Sequence, residues 1–190
     1  MRKRFLVGSL GLMTAVAALA ALARSTDAQQ PAPPQQRLAV DTASLPGPRQ
    51  PVFFRHDIHA GQYKIPCQYC HYTAQVSTEP GVPSMQTCMG CHAVLQGRDS
   101  TDRAEIKKVR DAWAEGTPIE WIRIHSVARH VRFPHNVHIN ALGNNACATC
   151  HGNVSRMPQV YKVNNVNNMG WCINCHLERN VTRDCTACHY

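Results

Sequence analysis

The chain has 190 residues, enough for one ordinary domain and a small second one. Only 6% of its residues are Phe, Trp or Tyr, and its 12 Pro and 11 Gly argue against a long regular sheet or helical bundle, so something besides side chains must fill the interior. The formal charge of +8 would suggest nucleic acid or an anionic membrane surface, but acid groups on a cofactor would cancel it.

Residues 1–24 have the composition of an export signal or a membrane anchor. A basic start, residues 1–4, precedes a stretch of 19 uncharged residues, 5–23. That length lies between the core of a signal peptide, about 7 to 15 residues, and a bilayer span of about 20. The basic end is expected to stay in the cytoplasm and the rest to be exported. Small residues suited to cleavage occur at 21–23 and 26–28, so a removed signal sequence and an uncleaved transmembrane anchor both stay open.

A proline-rich linker is predicted over residues 25–51. Six of the 12 prolines lie between positions 31 and 51. Such a composition favours extended, semi-rigid conformations over packed structure. We expect a spacer that, with a retained anchor, holds the folded domain 52–190 off the membrane surface.

All ten cysteines belong to five Cys-x-x-Cys-His units. This spacing is the covalent attachment signal for c-type haem: the two thiols bond to the vinyl groups on one porphyrin edge, and the histidine supplies an axial nitrogen to the iron. The predicted thioether residues are Cys67, Cys70, Cys88, Cys91, Cys147, Cys150, Cys172, Cys175, Cys185 and Cys188. The predicted proximal ligands are His71, His92, His151, His176 and His189.

Zinc sites and disulfides are the competing interpretations of these cysteines. A zinc site combines two Cys-x-x-Cys pairs, so five pairs would leave one unmatched. Ten cysteines in an exported protein could form disulfides, but that gives no reason for a histidine after every pair. The sequence therefore predicts five covalently bound haem c groups as cofactors.

Five haems would supply the missing interior, and the predicted fold class is a multihaem cytochrome c. We expect a mostly irregular chain with short helices wrapped around five covalent haems, in halves of about 52–92 and 117–190, preceded by an N-terminal hydrophobic helix. Between the halves, Asp102 and Glu105 predict the start of a longer bracing helix, and Gly116 predicts its end. The haem propionates would largely offset the basic side chains, so nucleic acid is not expected as a partner.

Six of the 11 histidines remain for the distal side of the irons. Four of them form two copies of a Phe-x-His-x-aliphatic-His pattern, at residues 54–59 and 133–138. On a helical turn the two histidines of one copy lie on neighbouring parts of one face, so they would serve two adjacent haems, with Phe54 and Phe133 packed on a haem plane. The alternative interpretation is that the two histidines of each copy lie on the protein surface and bind no iron. The predicted distal ligands are His56, His59, His135 and His138.

The fifth distal ligand is predicted as His125, in the alternating run Trp121-Ile-Arg-Ile-His125. His130, in a more charged stretch, is the weaker histidine alternative. A thioether is also a haem ligand and raises the reduction potential, so Met169 and Met157 are further alternatives.

The chain resembles the pentahaem cytochrome c subunit of Alternative complex III, a bacterial quinol-oxidising membrane assembly. The resemblance rests on the two Phe-x-His-x-x-His patterns, on residues 116–125 (GTPIEWIRIH), on Cys147-x-x-Cys-His-Gly152 and on Met169-Gly-Trp-Cys172. It implies a periplasmic position on the bacterial inner membrane, an N-terminal anchor, and partners that include an iron–sulfur, molybdopterin-like subunit and integral membrane quinol-oxidising subunits. It also favours His125 as a ligand, although this chain has residues 127–130 (VARH) where the family usually has a Pro-Asp-aromatic element.

The predicted function is electron transfer without substrate chemistry. Electrons would pass through the five haems of a respiratory or photosynthetic complex to a downstream monohaem cytochrome or oxidase. The alternative is a free periplasmic pentahaem shuttle, such as a donor to nitrite reductase. A multihaem enzyme is disfavoured because no motif has Lys in place of its proximal histidine and enough histidines exist to close every iron. No catalytic residue is therefore predicted.

Overall fold

The computed structural model describes residues 40–190, which form one compact unit. The predicted signal or anchor over residues 1–24, its hydrophobic helix and the first part of the linker lie outside the described residues. No helix within residues 40–190 has both the length and the apolar character needed to cross a membrane.

The described chain consists of short helices joined by irregular segments, as the sequence predicts. A π-helical turn, Asp57–Gln62, comes first, and 3₁₀ turns occur at Gly143–Asn145 and Val154–Arg156. The α-helices are α1 (Cys67–Cys70), α2 (Thr73–Val76), α3 (Met85–His92), α4 (Ser100–Glu115), α5 (His135–Leu142), α6 (Ala146–His151), α7 (Met169–Glu178) and α8 (Cys185–Cys188). Within residues 40–190 the β-structure is limited to one isolated antiparallel bridge, between Val131 and His189.

Helix α4 confirms the predicted helix between the two halves. Its N-cap is Asp99, whose carboxylate accepts a hydrogen bond from the backbone N–H of Asp102 at 2.8 Å, so the cap lies three residues before the predicted one. Gly116 ends the helix in the left-handed conformation, with φ 68°, a conformation in which a side chain is disfavoured. Val109 is buried, whereas Trp113 is exposed.

Side chains of α4 fasten it to the first half of the domain. The Arg110 guanidinium donates to the carbonyl of His92 at 2.6 Å, which ties the helix to the end of α3. The Glu105 carboxylate accepts from the backbone N–H of Phe53 at 2.8 Å, and Lys108 donates to the carbonyl of Pro51 at 3.2 Å. These bonds hold α4 against the segment that leads into the first histidine pair.

The hydrophobic core of the described chain is thin. Its buried apolar residues are Val52, Ala74, Val109, Ala146 and Met157, and none of the described large side chains is fully buried. Tyr63, Tyr69 and Tyr72 are all more than half exposed. Burial of this extent offsets little conformational entropy, so the folded chain needs a further source of apolar contact.

The last residues of the proline-rich stretch contact the rest of the domain. The buried side chain of Gln159 donates to the carbonyls of Pro46 and Gly47, at 3.0 and 2.9 Å. The Gln50 side chain exchanges two hydrogen bonds of 2.9 Å with the backbone of Ile122. Residues 46–50 are therefore attached to the folded domain.

Two glycines have similar φ angles, but an added methyl group should lower the free energy of unfolding by different amounts at the two positions. Gly152 has φ 70° and ψ −169°, and a Cβ there would lie 2.5 Å from Cγ2 of Val163. Gly116 has φ 68° and ψ 21°, and a Cβ there would meet nothing within 4 Å. We expect Gly116→Ala to lower the free energy of unfolding by about 1 kcal/mol and Gly152→Ala by roughly 3 kcal/mol or more.

Denaturant unfolding of the purified haem-loaded variants, followed by far-UV circular dichroism, measures both values. Equal losses for the two variants would contradict the close approach of Gly152 to Val163.

Candidate haem-binding site

All five Cys-x-x-Cys units begin or lie within a helix. Each unit spans one helical turn, so its two thiols, three residues apart, lie on the same side of the helix. No disulfide joins any of the ten cysteines, and none of them is fully buried. Paired thiols on one helix face suit attachment to one edge of a planar ring.

The five motifs lie beside one another in a definite order. Burial raises the pKa of Cys70, and the nearby thiols of the second motif, Cys88 and Cys91, raise it further. Burial also raises the pKa of Cys147, and the nearby thiol of Cys67 in the first motif raises it further.

The remaining neighbours continue this series. Burial raises the pKa of Cys150, with further contributions from Cys175 and Cys172 of the fourth motif. Burial raises that of Cys172 as well, and Cys188 of the fifth motif adds to the effect. These interactions link the second motif to the first, the first to the third, the third to the fourth and the fourth to the fifth.

The two predicted histidine pairs have nearly the same geometry. In the first copy the ring of Phe54 lies 4.8 Å from His56, edge on, and 4.4 Å from His59, stacked. In the second copy Phe133 lies 4.8 Å from His135, edge on, and 4.2 Å from His138, stacked. The phenylalanines thus pack directly on the second histidine of each pair.

Each pair reaches toward the proximal histidine of a later motif. The ring centroids of His59 and His92 are 6.0 Å apart, and those of His138 and His176 are 6.1 Å apart. A metal between two imidazoles, with metal–nitrogen bonds of about 2 Å as for zinc, holds the ring centroids roughly 6 Å apart. The spacings His59–His92 and His138–His176 therefore each fit a haem iron held between the two rings.

Backbone carbonyls fix the orientation of several of these rings. Nδ1 of His59 lies 2.8 Å from the carbonyl oxygen of Arg55. In the same way, Nδ1 of His138 lies 2.9 Å from the carbonyl oxygen of Pro134. His135, His92 and His176 make the same bond to Thr78, Leu95 and Thr182. A carbonyl oxygen can only accept, so Nδ1 carries the proton and Nε2 keeps its lone pair for a metal.

Burial keeps two of the rings neutral. Desolvation, followed by the charge of His71, lowers the pKa of His56 to about 4. Desolvation also lowers the pKa of His151 to about 4, with further contributions from His125 and His135. Neutral imidazole is the form that binds metals, so these rings are ready to ligate at physiological pH.

The two remaining histidines lie beside different motifs. His125 is edge on to the proximal His151, with ring centroids 4.5 Å apart, and His135 also acts on His151. His130 stacks on the proximal His189 at 5.4 Å and 19°. The third motif thus has two histidine neighbours, and the fifth has the one that the sequence ranked lower.

An unpartnered ring nitrogen of His125 also fits haem binding. Its Nε2 is buried and makes no hydrogen bond within the described residues. Buried polar atoms normally find a partner, and a metal would provide one. Of the two methionine alternatives, Met157 is buried and Met169 is exposed at the start of α7.

Sequence reasoning did not find the carbonyls that orient the rings. The acceptors are backbone atoms of Arg55, Thr78, Leu95, Pro134 and Thr182, so they have no side-chain signature. The contact of His130 with His189 was also missed, because it joins distant parts of the chain.

Two sequence families match adjacent parts of the chain. Residues 131–190 match the family described as cytochrome c7 and related cytochrome c, and residues 32–120 match the class III cytochrome C family. Each match covers less than half of the chain. With the helices and motifs above, these matches indicate covalently bound haem c and an electron carrier or complex subunit similar to multihaem cytochromes c.

A curated relative also matches part of the chain. It is the multihaem cytochrome c subunit of menaquinone reductase from Nitratidesulfovibrio vulgaris, 26% identical over 102 residues. The match covers 54% of this chain and 45% of the relative, so the chain spans less than half of that protein's length. These matches are common to multihaem cytochromes c and do not point specifically to Alternative complex III.

Replacing His138 tests the paired geometry. We expect His138→Ala to leave every haem attached but to convert one iron from low spin to high spin, because the imidazole opposite His176 is lost. Electron paramagnetic resonance of the oxidised protein, and carbon monoxide binding to the reduced protein, measure this change.

The matched control is Val137→Ala on the same helix, since Val137 is 57% exposed and should leave the spectra unchanged. An unchanged spectrum in His138→Ala would remove His138 from the ligand set.

Proposed function

We propose that this protein is the pentahaem electron-transfer subunit of a membrane quinol-oxidising complex similar to Alternative complex III. The duplicated geometry of the two histidine pairs carries the proposal. Two copies of one arrangement, each reaching a later motif at close to 6 Å, suit a series of closely spaced haems with both axial positions filled.

The residues divide into three roles in this proposal. The ten cysteines hold five haems, and the histidine of each motif is the proximal ligand. Distal ligands come from His56 opposite His71, His59 opposite His92 and His138 opposite His176, with His125 or His135 opposite His151. Bound haem supplies one-electron redox chemistry at its iron.

The chain's own residues hold the attachment sites close together and shield the ligands. The sulfurs of Cys67 and Cys147 lie near each other, which places the first and third motifs, one from each half, side by side. The backbone N–H groups of His135 and Asn136 donate to the carbonyls of Thr78 and Ser77, both at 3.2 Å, and hold the second histidine pair against the first half. An unbroken series of neighbours supports transfer in single-electron steps along the order second, first, third, fourth, fifth.

The proposed setting is the periplasmic face of the bacterial inner membrane. The basic start and the uncharged stretch of residues 5–23 support export, with either cleavage or a retained anchor. The proposed partners are an iron–sulfur, molybdopterin-like subunit, integral quinol-oxidising subunits, and a downstream monohaem cytochrome or oxidase.

A second candidate has electrons flowing in the opposite direction. The relative from Nitratidesulfovibrio vulgaris is named as a subunit of menaquinone reductase, which supports a role in delivering electrons to a quinone. Both candidates are electron transfer within a complex, and they differ in whether quinol or the haem chain is the electron donor.

The number of haems is the first test. We expect the intact mass and the pyridine haemochrome absorbance of the purified chain to give five covalent haems. The double variant Cys185→Ser/Cys188→Ser should give four, because the fifth motif loses both thiols. Ser84→Ala is the control and should keep all five, since Ser84 lies outside every motif. A wild-type count below five would contradict the pentahaem assignment.

Purification from membranes tests the partners. We expect the full chain, carrying a C-terminal tag, to copurify in mild detergent with integral membrane proteins and to resist a high-salt wash. Addition of a quinol should then reduce the haems of the isolated assembly. Oxidation of pre-reduced haems by a quinone, without reduction by quinol, would favour the second candidate. Release of the chain alone by the salt wash would instead favour a free periplasmic shuttle.

A further inference from the structure

The fifth attachment motif has a histidine neighbour from outside every predicted pair. His130 and His189 stack with ring centroids 5.4 Å apart and an interplanar angle of 19°. This separation is close to the 6.0 and 6.1 Å of the two pairs that fit an iron between them.

Backbone pairing fixes the position of His130 beside the fifth motif. The single antiparallel bridge among residues 40–190 joins Val131 to His189. The N–H of Arg132 donates to the carbonyl of Cys188 at 2.7 Å, and the N–H of Tyr190 donates to the carbonyl of His130 at 3.3 Å. His130 is therefore held from both sides of the bridge.

A side-chain contact strengthens this pairing. The Arg132 guanidinium lies over the ring of Tyr190, 4.7 Å from its centroid, which gives a cation–π contact. Helix α8 is capped by Asp184, whose carboxylate accepts from the backbone N–H of Thr186 at 2.9 Å. The Asp184 cap and the Val131–His189 bridge therefore hold the two ends of the segment that carries the fifth motif.

The other histidines are already placed at other motifs. His59 and His138 lie opposite His92 and His176. The charge of His71 lowers the pKa of His56, so these two rings are neighbours. The charges of His125 and His135 lower the pKa of His151, so both lie near the third motif. His125 is thus at the third motif, and His130 is the ring that stacks on His189.

We propose that the imidazole of His130 is the distal ligand of the haem iron bound by His189. The proposal rests on the proposed function, because it requires a haem at the fifth motif. It assigns two histidine ligands to this iron and leaves His125 and His135 as the two candidates for the iron at His151.

The test removes the ring in the haem-loaded full chain. We expect His130→Ala to keep five haems by intact mass while one iron becomes high spin and binds carbon monoxide when reduced. Added imidazole should restore the low-spin signal, because it replaces the lost ligand. Arg129→Ala, the exposed neighbour in the same turn, is the control and should leave all spectra unchanged.

A double variant identifies the iron. When Cys185→Ser/Cys188→Ser removes the fifth haem, adding His130→Ala should create no high-spin iron among the remaining four. A new high-spin iron in that background would overturn the assignment to His189. If His130→Ala fails to accumulate, His130→Met serves instead, and it should keep a low-spin iron and raise the midpoint potential of one haem.

Different results would overturn the proposed function and the role of His130. A wild-type chain with fewer than five haems would overturn the proposed function. Five low-spin haems in the wild type, with the same spectra and potentials in His130→Ala or His130→Met, would overturn the role of His130 alone.

Discussion

The site depends on one repeated interaction, a hydrogen bond from the Nδ1 of a histidine to a backbone carbonyl. It fixes the ring orientation and the tautomer together, so that the opposite nitrogen faces the attachment motifs with its lone pair free. In His59 and His138 the acceptor lies on the same helical turn, at Arg55 and Pro134. The ligand geometry is therefore set locally by the turn that carries the histidine.

A second constraint is the shortage of apolar side chains. The five buried apolar residues of the described chain cannot by themselves offset the entropy of ordering about 150 residues, which costs of order 1 to 2 kcal/mol per residue. Large aromatic residues stay exposed at the first attachment motif, with Tyr69 inside it and Tyr72 directly after it. Covalent macrocycles would cover such surfaces, so folding and cofactor attachment are expected to be coupled in this protein.

Local features of the sequence could be predicted because they depend on neighbouring residues. The helix over residues 100–115 follows from its apolar spacing and its terminal glycine, and the short helices follow from the motifs themselves. The cap was misplaced because Asp99 and Asp102 are both acceptable caps, and only the backbone geometry selects Asp99. The pairing of histidines with motifs could not be predicted, since His59 with His92 and His130 with His189 meet through chain reversals with no local signal.

The two histidine pairs keep their ring geometry although the segments that follow them differ by one residue. The first attachment motif begins eight residues after His59, and the third begins nine residues after His138. In the second copy the connecting segment contains the 3₁₀ turn Gly143–Asn145, which begins at a glycine with φ 63°. Such a unit tolerates a change of length in its connecting loop and carries its own histidine ligands. It can therefore be duplicated within a gene while the surrounding sequence stays the same. Tandem copying of such units is a simple evolutionary route from a short cytochrome to a longer conductor.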